Sequence, residues 1–180
     1  MPQPVPYLFL DVDGPLLPFG GPHPGPAPAG AGNPLLPRLD PGLGPQLLSL
    51  GCALVWATTW LDEANEVLAP LLGLPALPVV RWPEDDPHVP RGVHWKTPAL
   101  VEWADGHPFL WVDDEIGPLD RLWVEGVHPA PALLHRVDPR RGLTGSDFAA
   151  LTAFTDALGG AGRAANVKNP VDTAAGRPAD

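Results

Sequence analysis

The chain is poor in cysteine and in positive charge. Cys52 is the sole cysteine among 180 residues, so no intramolecular disulfide can form, and its place beside the run Ala53 to Ala57 suits core packing. Basic side chains number 11 against 21 acidic ones, a formal net charge of −10. That balance argues against a long basic groove, so nucleic acid is not the expected partner, although a phosphate site can still be locally positive. Long apolar runs are missing as well. Leu8 to Leu10 is cut short by Asp11, and no positive region precedes it, so neither a membrane span nor a secretory signal is expected. The expectation is a cytoplasmic protein with no membrane partner; no feature specifies an oligomer.

Proline and glycine are abundant instead, at 27 and 20 residues, so much of the chain must be loop. The segment from Pro15 to Pro45 is densest in both, and regular structure is not expected there, because proline removes donors and glycine raises the entropy cost of ordering. After Leu158 the chain turns to Gly159-Gly160-Ala161-Gly162 and a small, polar stretch, so 159–180 reads as a disordered tail. Residues 1–158 then form one domain, the default for this length.

Within that domain, five short apolar runs alternate with helix-like segments. Strands are expected near Tyr7 to Val12, Cys52 to Ala57, Leu77 to Arg81, Phe109 to Val112 and Leu133 to Val137. Helices are expected near Gly44 to Leu50, Leu61 to Leu72, Pro98 to Ala104, Pro118 to Val124 and Ser146 to Leu158, with Thr97 and Ser146 as caps. Such alternation predicts an α/β protein, a three-layer Rossmann-like fold around a central, mostly parallel five-stranded sheet.

Chemistry concentrates at the strand ends. The first run ends in Asp11-Val12-Asp13-Gly14, two carboxylates spaced so that both can converge on one point while Val12 turns to the core. The second leads into Thr58, Lys96 precedes a helical stretch, and the fourth run ends in Asp113-Asp114. In parallel α/β sheets ligands bind beyond the carboxyl ends of the strands, which is where Asp11, Thr58 and Asp113 fall.

These four elements, in this order, resemble the haloacid dehalogenase superfamily of phosphohydrolases, in a form with a minimal cap. The resemblance spans Tyr7 to Leu158, but outside the motifs it is architectural only. It implies a Mg²⁺-dependent phosphatase acting on a phosphate monoester through an aspartyl-phosphate on Asp11. Asp13 is then the acid that protonates the leaving oxygen and later activates water. By the same resemblance Asp11, the backbone carbonyl of Asp13 and Asp113 hold Mg²⁺, with Asp114 as a further ligand or, as preferred here, the group orienting Asp113 and a metal-bound water. Thr58 is preferred over Thr59 as the hydroxyl donor to a phosphoryl oxygen, and Lys96 as the charge facing the phosphate and Asp11.

Pro15 departs from the family pattern at the start of the flap, which it is expected to stiffen or reshape. Neither cap position holds a convincing folded insertion, so an open site is expected. Around it, Trp60 is the candidate for stacking on a flat substrate group, while Arg91 and Arg140 are candidates for a second anionic group; a phosphorylated small molecule is the favoured partner. The loop from Trp82 to Trp95 adds Glu84, Asp85, Asp86, His88 and His94, and the histidines lack zinc-type spacing. Trp56 and Trp111 are expected in the core.

Other functions share part of this pattern. Phosphoryl transfer to an acceptor other than water uses the same residues. A non-catalytic phosphoacceptor resembling a receiver domain would carry its reactive aspartate on the third strand, where Val79-Val80-Arg81 has none. A nuclease or primase-like metal site would need an additional upstream glutamate, and none precedes Asp11.

Overall fold

The structure is a computed structural model that describes residues 4–20, 33–83 and 89–166. At its centre lie four parallel strands: β1 (Tyr7–Leu10), β2 (Ala53–Trp56), β3 (Phe109–Asp113) and β4 (Ala132–Arg136), in the order β2-β1-β3-β4. In register, Leu10 stands between Trp56 and Val112, and Asp113 pairs with Arg136. All five residues of β3 are buried, as a central parallel strand covered on both faces requires.

Alternation along the strands divides the core in two. Leu8, Leu10, Leu54 and Trp56 pack with Leu47, Leu72, Phe148 and Leu151, which come from α1 (Leu43–Ser49), α2 (Ala69–Leu72) and α5 (Gly145–Asn166). Phe9, Val55 and Trp111 pack on the other face with Leu100, Ala104 and Val124, from α3 (Thr97–Ala104) and α4 (Pro118–Val127). Helices therefore cover both faces, as expected. Trp56 and Trp111 are both fully buried.

Among the described residues the sheet has four strands rather than five. Of the expected strand Leu77 to Arg81, only Val79 forms a bridge, to Trp56, through Trp56 N–H to Pro78 O (2.9 Å) and Val80 N–H to Trp56 O (2.9 Å). Two facts stop the ladder there. Pro78 has no N–H to give, and both backbone groups of Leu77 are taken by Asn65, whose Oδ1 accepts from Leu77 N–H while its Nδ2 donates to Leu77 O, each at 2.8 Å.

Helix starts also differ from expectation. Thr144, not Ser146, is the residue that precedes α5, and Asp147 in the first turn reaches back to it, accepting the Thr144 N–H and hydroxyl on Oδ2 at 2.7 and 2.6 Å. The Thr97 hydroxyl caps nothing and donates to Asp120 Oδ1 at 2.7 Å instead. Before α2 the backbone runs as a π-helical turn, Ala64–Leu68, so the expected helix from Leu61 is neither uniform nor complete, and Leu61 itself has φ of 50°.

Helix α5 runs through Gly159 and Gly160 to Asn166, so 159–166 are helical where a disordered tail was expected; the rest of that expected tail, 167–180, lies outside the described residues. The Pro/Gly-rich segment is more regular than expected where it is described. It contains a 3₁₀ turn, Leu36–Arg38, and the start of α1, while 21–32 lie outside the described residues. No helix among the described residues is long and apolar enough to cross a membrane.

Candidate functional site

From β1 the chain moves outward to β2 on one side and then crosses to β3 on the other. The crevice between β1 and β3 is thus where strand order reverses, the place where open α/β sheets bind ligands. Asp11 leaves β1 still paired, its N–H donating to Val112 O at 3.0 Å, and Asp113 ends β3 beside it. Beyond Asp11 the chain turns sharply. Gly14 has φ of +94°, its N–H donates to Leu17 O (3.1 Å), and a Cβ built on it would lie 2.7 Å from Asp114 Cγ, so only glycine lets the two segments approach.

Lys96 enters this crevice from the N-terminal end of α3. It is buried, and its Nζ lies 2.8 Å from Asp113 Oδ2 and 3.1 Å from Asp11 Oδ2. Burial opposes its charge, but Asp11 and Asp113 outweigh that and raise its pKa. For Asp11 the balance tips the other way. Burial pushes its carboxyl up to about 7; Lys96 pulls against this and Asp113 adds to it. Burial, followed by the charge of Asp113, also raises the pKa of Asp114.

One carboxylate oxygen from each of Asp11, Asp113 and Asp114 lies within 4.8 Å of the other two, a cluster that could hold a metal ion. All three donors are hard oxygens, which fits a hard divalent cation such as Mg²⁺ without singling it out. Asp113 is fully buried, with Oδ2 engaged by Lys96 and Oδ1 accepting the Glu115 N–H at 2.9 Å. Asp114, by contrast, lines a cleft of about 260 Å³ together with Asp11, Asp13, Lys96, Phe19 and Trp95. A larger cavity of about 400 Å³ lies between α4 and β4 and contains none of these residues.

The remaining expected site residues divide. Thr58 is buried and its Oγ1 accepts the Trp60 N–H at 3.2 Å, whereas its neighbour Thr59 lines the cleft. Trp60 does not line it. Its indole N–H instead donates to Asp13 Oδ2 at 3.0 Å. Arg91 and Arg140 are exposed and are not brought into the cleft. Glu84, Asp85, Asp86 and His88 lie outside the described residues.

Several residues that shape the site, among them Asp120 and Trp82, have no role assigned from the sequence, and His94 is weighed there only as a metal ligand. Asp120, buried at the start of α4, accepts from His94 N–H, the Thr97 hydroxyl and Gly117 N–H, each at 2.7 Å, and so fastens the segment carrying Lys96 to α4. His94 accepts the Lys96 N–H on Nδ1 at 3.1 Å, which leaves Nε2 to donate to Glu115 at 3.0 Å. Trp82 donates its indole N–H to Thr58 O at 3.1 Å, and the rings of Trp82 and Trp95 lie 6.0 and 5.7 Å from Lys96 Nζ. For Asp120 a signal existed: an acidic residue three positions after Gly117, with Pro118 opening the helix, is a capping pattern. No protein-family model, no curated protein and no solved structure matches the chain.

Proposed function

We propose that the protein is a Mg²⁺-dependent phosphatase that hydrolyses a phosphate monoester through an aspartyl-phosphate on Asp11. The observation carrying this reading is the placement of Lys96 Nζ between Asp11 and Asp113, with Asp13 and Asp114 on the same small cleft. A buried lysine flanked by two carboxylates leaves net negative charge, which a divalent cation offsets. Asp11, Asp113 and Asp114 would hold Mg²⁺, whose charge would offset that of the incoming phosphate.

Each side chain has a separable duty. Asp11 attacks phosphorus with a carboxylate oxygen, so the bond to the leaving oxygen breaks as the aspartyl bond forms. Lys96 holds Asp11 in place and offers its charge to the transferring group. Asp13 gives a proton to the leaving oxygen and then takes one from the water that cleaves the aspartyl-phosphate. Trp60 fixes one Asp13 oxygen through the indole N–H, leaving the other to meet substrate. Asp113, whose oxygens are engaged by Lys96 and Glu115, acts chiefly by anchoring that lysine, and Asp114 takes the cleft-facing role.

The test is turnover of a panel of phosphorylated metabolites with Mg²⁺, run beside Asp11→Asn. Turnover abolished by chelation and by the substitution is the expected result. Activity that persists in Asp11→Asn overturns the proposed mechanism.

A further inference from the structure

We infer that Phe19 and Trp95 form an aromatic platform at the mouth of the cleft, and that it selects phosphate monoesters whose leaving group carries a flat ring, nucleoside monophosphates above all. The phosphate end of this assignment rests on the catalytic reading above; the platform rests on separate observations. Both side chains line the cleft with Asp11 and Asp114, yet Phe19 is 51% exposed and Trp95 42%. Single exposed apolar residues are ordinary, but two aromatic rings from distant segments converging on one polar cleft are not.

The backbone that carries Phe19 is pinned, and the ring of Trp95 is held by its neighbours. The carbonyls on either side of Phe19, of Pro18 and Gly20, both accept from Arg38 Nη1, at 3.0 and 2.6 Å, while the Phe19 N–H donates to Pro139 O at 2.7 Å. The loop is thus pinned with its aromatic side chain left outside the core. Trp95 packs edge-on against Trp82, centroids 4.9 Å apart at 76°, and against His94 at 5.5 Å; Trp82 is itself tied to Thr58 O. A ring already held, as Trp95 is, and a loop already pinned, as that of Phe19 is, bind a flat partner with less further loss of entropy.

Size and charge narrow the ligand. A cleft of about 260 Å³ holds a phosphate and the atoms next to it, leaving a bulkier leaving group against the rim. Glu115 joins the aspartates on the lining, and Lys96 is already engaged by two carboxylates. That environment disfavours extra phosphates and favours a monoester with a neutral ring.

AMP and ribose 5-phosphate share the same sugar phosphate, adenine in the one replacing the anomeric hydroxyl of the other, and supply the test. Binding of each is measured by calorimetry with Mg²⁺ in an Asp13→Asn background, which slows turnover and keeps the side chains of the acidic cluster. AMP is expected to bind about 10-fold tighter, and Trp95→Ala or Phe19→Ala to bring the ratio within about threefold of unity, since a base stacked on an aromatic side chain contributes on that order. Trp95→Phe should restore most of the preference, and Leu122→Ala, at an exposed site on α4, should retain it. Equal affinities, no binding of either compound, or a preference that survives both alanine substitutions would overturn the inference. An AMP preference that depends on the two rings, in a wild-type protein that hydrolyses neither compound, would uphold the platform and overturn the catalytic reading instead.

Discussion

The indole N–H of Trp60 donates to Asp13 Oδ2 at 3.0 Å, joining a residue just past β2 to the second carboxylate of the Asp11-Val12-Asp13 run. That contact makes Trp60 a positioning residue for Asp13. Trp60→Phe keeps the ring and removes the donor, so kcat should fall about 10-fold, within the usual contribution of a positioned acid or base. The ratio of AMP to ribose 5-phosphate affinity should stay unchanged. Steady-state kinetics and calorimetry on the one variant check both; a lost preference with normal kcat would make Trp60 a contact for the flat substrate group, as the sequence suggested, rather than a positioning residue.

Lys96→Met should destabilise the metal-free protein by about 3 kcal/mol, because Asp11 and Asp113 are left buried without their shared cation. Part of that loss should return on adding Mg²⁺, which replaces the missing charge. Urea unfolding with and without Mg²⁺ reads the two effects; equal midpoints for variant and wild type would contradict the burial argument.

The pH dependence follows from Asp11, whose carboxyl is raised from 3.8 to about 7 in the fold. The folded state then holds this proton more tightly than the unfolded chain. Its contribution to metal-free stability is full below the unfolded value, declines as pH climbs from there to about 7, and is flat above. Mg²⁺ must displace the same proton, so its affinity should rise toward neutrality and then level. Mg²⁺ titrations of Tm at about pH 5.5 and about pH 8 should show the larger shift at the higher pH.

Gly14→Ala should cost more than Gly51→Ala although both positions have positive φ, +94° and +67°. At Gly51 the new methyl meets nothing within 4 Å, leaving backbone strain of about 1 kcal/mol. At Gly14 it meets the Asp114 carboxyl at 2.7 Å, so the carboxylate must move as well. A further loss of at least about 1 kcal/mol is expected in chemical denaturation, together with weaker Mg²⁺ binding.

Much of the scaffold was legible because its signals are local. Apolar runs located β1, β2 and β3, a β-rich run interrupted by His135 and Arg136 located β4, and Asp11, Lys96 and Asp113 stood out from their places at strand ends and before a helix. What escaped depends on partners distant in sequence. Val79 and Val80 have the composition of a strand, but Pro78 and the Asn65 side chain limit the pairing to one bridge. Thr97 reads as a cap until α4 brings Asp120 against its hydroxyl, and Trp60 reads as a substrate contact until the turn at Gly14 aims Asp13 at its indole. Arg91 and Arg140 share a sheet edge with the site on paper, yet neither reaches the cleft.

The single bridge at Val79 also bears on how copies of this chain behave in a crowded solution. Beyond β2, a second molecule seeking to add a strand would meet Pro75 and Pro78, which offer no N–H, and a Leu77 whose backbone groups are already spent on Asn65. A flank so short of free donors makes a poor template for fibril growth or strand exchange. Pro78 and Asn65, which deny the sheet its fifth strand, thereby guard that border against self-association.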